Sequence, residues 1–95
     1  MSAANLQTIS VTSDTYPNDP QVSMAFEPDS TLFLNRSATA ADIVYISVDG
    51  TNDTAILIPG LMPALEYRTK YKKYWLRIDS GASTTSVNVM ANTVR

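Results

Sequence analysis

Basic and aromatic residues alternate over positions 67–77, the segment of this sequence best suited to molecular recognition. Its candidate contact residues are Arg68, Lys70, Tyr71, Lys72, Lys73, Trp75 and Arg77. Cationic side chains pair with carboxylates or phosphates, and exposed aromatic rings stack on bases or sugars. The net charge of the chain is −2 and no nucleic-acid-binding signature is present, so an acidic protein neighbour is favoured over nucleic acid. The other interpretation is that the lysines lie in a solvated turn that leads into a core strand.

The run Asp49-Gly50-Thr51-Asn52-Asp53 is the densest group of side-chain oxygens. A helix–loop–helix calcium loop needs glycine at its sixth position and glutamate at its twelfth. Counted from Asp49, glycine is second and Gly60 stands twelfth, so that motif fails. The run instead predicts a hairpin loop between two strands. We keep Asp49, Asn52 and Asp53 as candidate loop contacts and predict no metal site.

Histidine and cysteine are both absent from the chain. Catalysis and metal binding therefore lack their usual general base, thiolate nucleophile and nitrogen or sulfur ligands. Glu27 and Glu66 are carboxylates in unremarkable positions near strand edges, and no phosphate-binding or dinucleotide-binding motif occurs. We expect a protein that is not an enzyme and that uses no cofactor.

Apolar and polar residues alternate with a period of two along much of the chain, the pattern of half-buried antiparallel strands. The predicted strands are 9–11, 22–26, 31–36, 43–48, 55–58, 74–79 and 86–91, with a weaker one at 65–70. Turn-forming residues separate them at intervals of about 8–12 residues. The sequence predicts an all-β antiparallel sandwich or small barrel of seven to eight strands, Ig-like or jelly-roll-like. Only Ser37–Asp42 has helix potential, for a turn or two.

The orientation of Trp75 follows from which face of its strand is buried. If Tyr74, Leu76 and Ile78 face the core, Trp75 points outward beside Arg77. The opposite register would make Trp75 a core residue. Both registers are open at this stage.

Length and composition indicate one domain, residues 1–95, with 44% apolar and 17% charged residues. Residues 1–5 are expected to be a loose arm or one docked on a partner.

The N-terminus has no basic and apolar signal pattern, and the uncharged stretch Thr54–Leu65 is too short to span a membrane. We expect synthesis in a cytoplasm without individual secretion.

Charge is divided unevenly between the two parts of the chain. Residues 1–66 hold eight acidic and one basic residue, whereas residues 67–95 hold six basic and one acidic residue. One interpretation is that the two parts offset each other within the domain. The other is that the basic part meets an acidic neighbour, for example a second copy of the chain.

Two runs of the sequence resemble small virion proteins of tailed bacteriophages. The first is Val44–Asp53, followed by Ile58-Pro59-Gly60 and Ala64–Tyr67, and the second is Tyr74–Ala82. They match a strand, an Asp-Gly-x-x-Asp loop, a strand and a Pro-Gly turn, and then an aromatic–Leu-Arg strand ending in Ser-Gly. The resemblance implies a β-sandwich that decorates the phage head, or a neck or tail accessory, with no catalytic residues.

The sequence thus leads to the expectation of a capsid decoration or cement subunit. Its partners would be the major capsid protein or other virion proteins, with homo-oligomers formed and no membrane or nucleic acid involved. Its location would be the virion, assembled in the host cytoplasm. One alternative is a neck or tail accessory protein. Another is a carbohydrate-binding module that uses Tyr71, Tyr74, Trp75 and the 49–53 loop.

Overall fold

The computed structural model describes residues 2–24, 26–68 and 71–94, leaving aside the side chains of residues 2–5, 93 and 94. Within them the chain forms strands and loops and no helix, which confirms the all-β prediction. The eight strands are β1 (Ser2–Val11), β2 (Val22–Ser23), β3 (Ser30–Asn35), β4 (Val44–Ser47), β5 (Ala55–Leu57), β6 (Ala64–Tyr67), β7 (Lys73–Ile78) and β8 (Thr85–Val94).

Two four-stranded antiparallel sheets make up the fold. The first has the order β1-β8-β3-β6 and the second the order β2-β7-β4-β5. Strand β1 thus lies beside β8, β2 beside β7, β3 beside β6 and β4 beside β5, as in one long hairpin wound into two layers. That arrangement is a jelly roll, so of the two predicted sandwich types the jelly-roll-like one is observed.

The core lies between the sheets and receives alternate side chains from each strand. In β7, Tyr74, Leu76 and Ile78 are buried, as the alternation predicts. In β8, Val87 and Val89 are buried in the same way. The remaining buried apolar residues are Val11, Val22, Met24, Phe33, Val44, Ile46, Leu57 and Ala91.

An aromatic group joins the two sheets at the centre of this core. The Phe33 ring lies 4.8 Å from the ring of Tyr74 at 76° and 6.0 Å from that of Tyr67 at 87°, measured between centroids. Edge-to-face pairs of this kind add to the stabilisation that burial alone gives. Since Phe33 and Tyr67 belong to the first sheet and Tyr74 to the second, the group fixes how the sheets pack.

Two local predictions differ from the structure. Of the strand predicted over 22–26, only Val22–Ser23 is a strand among the described residues, and Ala25 lies outside them. The Met24 amide still bonds to the Lys72 carbonyl at 2.9 Å. The segment 37–42 is a turn rather than a helix. Its Ser37 hydroxyl donates to the Asp42 carboxylate at 2.7 Å, and such side-chain bonds compete with helix formation.

The first strand is longer than the alternation predicts. From Ser2 onward the residues assigned to an N-terminal arm belong to β1, where Ser2 pairs with Val94 and Asn5 with Ala91. Met1 lies outside the described residues. The arm region therefore completes a ten-residue strand at the edge of the first sheet.

Candidate functional site

The outer face of β7 carries three of the seven residues that the sequence singles out for recognition. Because Tyr74, Leu76 and Ile78 point inward, Lys73, Trp75 and Arg77 lie on the outer surface of the second sheet. The outward register of Trp75 is the one observed. Its indole packs beneath Gly50, where a β-carbon would come within 3.0 Å of Cε2.

A shallow depression of about 380 Å³ is lined by Val48, Tyr71, Lys72, Lys73 and Trp75. We call it the Trp75 depression. It brings together four of the seven candidate contact residues. Lys70 lies outside the described residues. Tyr71 is half exposed, and its ring meets the Tyr74 ring edge-on with centroids 6.2 Å apart. The depression thus combines two aromatic rings with two lysine side chains. Such a surface suits a partner that carries carboxylates or a planar group able to stack on the rings.

Arg77 is engaged within the chain instead of being free for a partner. Its Nε and Nη2 atoms donate to the Asp53 carboxylate at 3.1 and 2.8 Å. The guanidinium lies over the Tyr45 ring, 4.1 Å from its centroid. The Tyr16 hydroxyl donates a short hydrogen bond to the same carboxylate. This Arg77 cluster holds the 49–53 loop and the 12–21 segment against the outer face of the sheet.

Electrostatics within the Arg77 cluster agree with its geometry. The hydrogen bonds from Arg77 hold the pKa of the Asp53 carboxyl below its ordinary value. Burial, followed by the hydrogen bond to Asp53, raises the pKa of the Tyr16 hydroxyl. Tyr16 thus stays protonated as the donor while Asp53 stays ionised as the acceptor. The arrangement positions a loop and offers no group poised for proton transfer near neutral pH.

Replacing Asp53 with asparagine is expected to lower the stability of the protein at neutral pH. It is also expected to weaken the loss of stability as the pH falls. The folded-state pKa of Asp53 is depressed, so its contribution is present above the unfolded value of about 4 and is lost as the pH falls. Because the side chain is 41% exposed, we expect a loss of only about 1 kcal/mol at pH 7. Thermal melts from neutral to acid pH measure both effects. The matched control is Asp19→Asn, an exposed aspartate outside the cluster. Parallel acid profiles for Asp53→Asn and the unmodified chain would contradict the prediction.

The Arg68 side chain pairs with Glu66 at 3.2 Å on the surface of β6. Its side chain is 84% exposed, and exposed pairs of this kind contribute little to stability. Arg68 does not line the Trp75 depression, and so it stands apart from the candidate residues on β7.

The loop residues Asp49 and Asn52 bond mainly to their own loop. The Asp49 carboxylate accepts from the Thr51 amide at 2.8 Å, the Asn52 amide at 2.9 Å and the Ser47 hydroxyl at 2.8 Å. These bonds, the two backbone ones first, lower the pKa of Asp49. Among residues 2–24, 26–68 and 71–94 no cluster of three acidic side chains could hold a metal ion.

A second surface, on the outer face of the first sheet, was not found from the sequence. Leu6, Met90 and Leu32 are direct cross-strand neighbours on β1, β8 and β3, and all three are exposed. We call them the apolar row, and Leu34 is exposed beside it on β3. The one available signal was the sequence of the predicted strand 31–36, where Leu32 and Leu34 alternate with Phe33 and so make both faces of the strand apolar. The row itself joins strands that are far apart in the sequence.

The described strands form a small jelly-roll domain, with the Trp75 depression on the outer face of one sheet and the apolar row on the outer face of the other. In the described part of the chain no helix is long and apolar enough to cross a membrane. Neither a protein-family model nor a curated protein matches the sequence. The fold is similar to that of a solved structure described as "Bacillus endospore appendages form a novel family of disulfide-linked pili", with a TM-score of 0.60 and 8% identity over 99% of this chain and 87% of that chain. At this identity the likeness shows the fold alone.

Proposed function

We propose that this chain is a non-catalytic structural subunit of a tailed-bacteriophage virion, where it decorates the head and stabilises it by contact with capsid neighbours. The resemblance of residues 44–53, 58–60, 64–67 and 74–82 to small phage virion proteins motivates the choice of assembly. The absence of histidine and cysteine fits a role without chemistry.

The observation that carries the proposal is the apolar outer face of the first sheet. Leu6 is 67% exposed, and Leu32, Leu34 and Met90 are 37–40% exposed on the same face. Burial of apolar area stabilises association by about 25 cal/mol per Å² before the costs of association. A row of large apolar side chains on one face of a sheet therefore suits contact with another protein.

The Trp75 depression supplies a second contact surface of different character. Lys72 and Lys73 are exposed there, beside the half-exposed Tyr71. Charge complementarity would orient the subunit on an acidic neighbour, and the aromatic rings would supply contact area. Arg77 would contribute to this surface only by positioning, because the Arg77 cluster holds the 49–53 loop beside Trp75.

Attachment of such a subunit would not involve disulfide bonds. The pili of the similar solved structure are disulfide-linked, whereas this chain has no cysteine. Many weak contacts between repeated copies would then add up through multivalency. The proposal thus requires high occupancy on a repeating surface.

Charge placed on the apolar face tests the proposal. Virions carrying the double variant Leu32→Lys/Leu34→Lys are expected to lose the subunit from the head and to lose heat resistance. The matched control is Leu61→Lys, since Leu61 is an equally apolar residue, 79% exposed in the turn between β5 and β6. Circular dichroism of the purified variants checks that each is folded. Heads with full occupancy by the double variant and unchanged heat resistance would rule out the cement role.

Copy number in purified virions separates the head from the neck or tail. A head decoration is expected in hundreds of copies, whereas a neck or tail accessory forms a closed ring of about six to twelve. Band intensities relative to the major capsid protein on a denaturing gel provide the measurement.

A second candidate function, carbohydrate binding, is favoured by one observation. Tyr71 and Trp75 line the same depression, and sugar rings stack on such aromatic surfaces. Two residues of the site expected from sequence are elsewhere, since Tyr74 is fully buried and Asp49 bonds within its loop. A glycan-array screen that shows binding lost in Trp75→Ala would favour this function over a purely structural one.

A further inference from the structure

Among the residues that the structure describes, the outer edge of β1 is the longest strand edge without a paired strand. The strand has ten residues, and its one neighbour in the described sheet is β8. The backbone hydrogen bonds found outside the strand pairs involve none of residues 2–11 in the described part of the chain. Alternate amides and carbonyls of β1 thus face away from the sheet, which makes this edge a template for another strand.

The other sheet edges are short. Strand β2 has two residues, β5 has three and β6 has four. Next to β2, the Gln21 side-chain amide bonds to both the carbonyl and the amide of Leu76, at 2.6 and 2.9 Å. The Ser13 carbonyl accepts from the Ile78 amide at 2.9 Å. These bonds cover β7 where β2 is too short to do so, and in the described residues nothing comparable covers β1.

The sequence of β1 lacks the residues that usually protect a strand edge. The run Ser-Ala-Ala-Asn-Leu-Gln-Thr-Ile-Ser-Val contains no charged residue, no proline and no glycine. Natural edge strands commonly carry lysine, proline or a bulge, or are very short, because these features prevent pairing between molecules. The sequence of β1 therefore does not prevent pairing with a strand of another molecule.

The apolar row ends differently at its two sides. At β6, Leu32 pairs with Glu66, whose carboxylate is bonded to Arg68, so the row stops at a charged pair. At β1, the row ends on Leu6, which is 67% exposed at the free edge. At β1, therefore, no charged pair closes the apolar row, and the backbone there has hydrogen-bonding groups that face away from the sheet.

We propose that two copies of this chain pair through their β1 edges, antiparallel about a two-fold axis at Leu6. The two first sheets then become one continuous eight-stranded sheet. The apolar row continues across the junction, from Leu32 and Met90 through Leu6 into Leu6 of the second copy. The interface is isologous, since each copy contributes the same edge.

The register follows from the faces of the strand. Full overlap of residues 2–11 would place Leu6, on the outer face, opposite Gln7, whose side chain points the other way. A shift of one residue restores the match of faces. The shift can be made in either of two directions. In the first register Leu6 lies opposite Leu6 of the second copy. In the second register Gln7 lies opposite Gln7, and Leu6 lies opposite Thr8. The first buries two exposed leucines against each other, and we assign it for that reason.

Single cysteines test both the pairing and its register, because the natural chain has none. Directly opposed residues of antiparallel strands have Cα atoms about 4.5–5.5 Å apart, within the range of a disulfide. Leu6→Cys is expected to form a covalent dimer in high yield under mild oxidation, seen on a non-reducing gel. The matched control Gln7→Cys, one residue along on the same strand, is expected to stay monomeric on that gel. Equal yields, or a higher yield from Gln7→Cys, would overturn the assigned register and axis.

Oligomeric state without cross-linking provides the second test. Light scattering after size exclusion is expected to give twice the 10.4-kDa mass of the chain. Leu6→Lys, which sets two like charges opposite each other, is expected to elute as a folded monomer, while Leu61→Lys stays dimeric. A monomeric unmodified chain, or a dimer or larger oligomer insensitive to Leu6→Lys, overturns the proposal. These measurements use the purified chain and stand whether or not the virion role holds.

Discussion

Phe33→Ala is expected to lower the free energy of unfolding by about 3–5 kcal/mol. The ring is fully buried and contacts Tyr67 and Tyr74 edge-on, so its loss leaves a cavity between the two sheets. A domain of 95 residues has a total stability of only about 5–14 kcal/mol. The thermal midpoint should therefore fall by on the order of 15–30 °C.

Phe26→Ala is the matched control, since the chain has two phenylalanines and Phe26 is only partly buried at the margin of the core. In urea titrations of the two variants, Phe26→Ala should lower the free energy of unfolding clearly less than Phe33→Ala does. Should Phe33→Ala fail to fold, Phe33→Leu, which keeps part of the volume, is expected to cost about 1–2 kcal/mol. Similar losses for Phe33→Ala and Phe26→Ala would contradict a central role for the aromatic group.

Gly50→Ala is expected to cost about 2–4 kcal/mol, from two separable causes. The first is backbone conformation, because Gly50 has φ of 80° in the left-handed region. The second is contact with Trp75, whose Cε2 would lie 3.0 Å from the new β-carbon. The indole or the loop must therefore shift.

Gly60→Ala isolates the first cause. Gly60 also has φ of 80°, but a β-carbon there meets no atom within 4 Å. Its cost should be limited to about 1–2 kcal/mol. Since Trp75 is the sole tryptophan, its fluorescence reports the shift directly, and the spectrum should change in Gly50→Ala and not in Gly60→Ala. Equal costs and unchanged fluorescence in both variants would show that the contact with Trp75 is unimportant.

The structure revises the role of the basic and aromatic segment. Tyr71, Lys72, Lys73 and Trp75 remain together on the surface, as a contact surface requires. Arg77 instead holds the Asp53 carboxylate and the Tyr45 ring. A substitution at Arg77 would thus change loop position and stability as well as contacts. Variants at Lys72 and Lys73 are the cleaner probes of partner binding.

The sequence by itself determined the fold class and much of the strand pattern. Alternation identified Tyr74, Leu76 and Ile78 as one face of a strand, and that face is the buried one. Asp49 and Gly50 marked the hairpin loop between β4 and β5, which closes through its own side-chain bonds. These features depend on neighbours within a few residues, so a local pattern is enough to predict them.

Only the tertiary structure decided the jelly-roll order, the partners of Arg77 and the apolar row. Arg77 meets Asp53 from 24 residues away, and Thr8 bonds to Asn88 across 80 residues. Which strands become neighbours depends on how two sheets bury their apolar faces together, and period-two alternation is the same for every strand order. The length and exposure of β1 were also decided by the tertiary structure, because whether a strand lies at the edge of a sheet depends on the order of all the strands in that sheet.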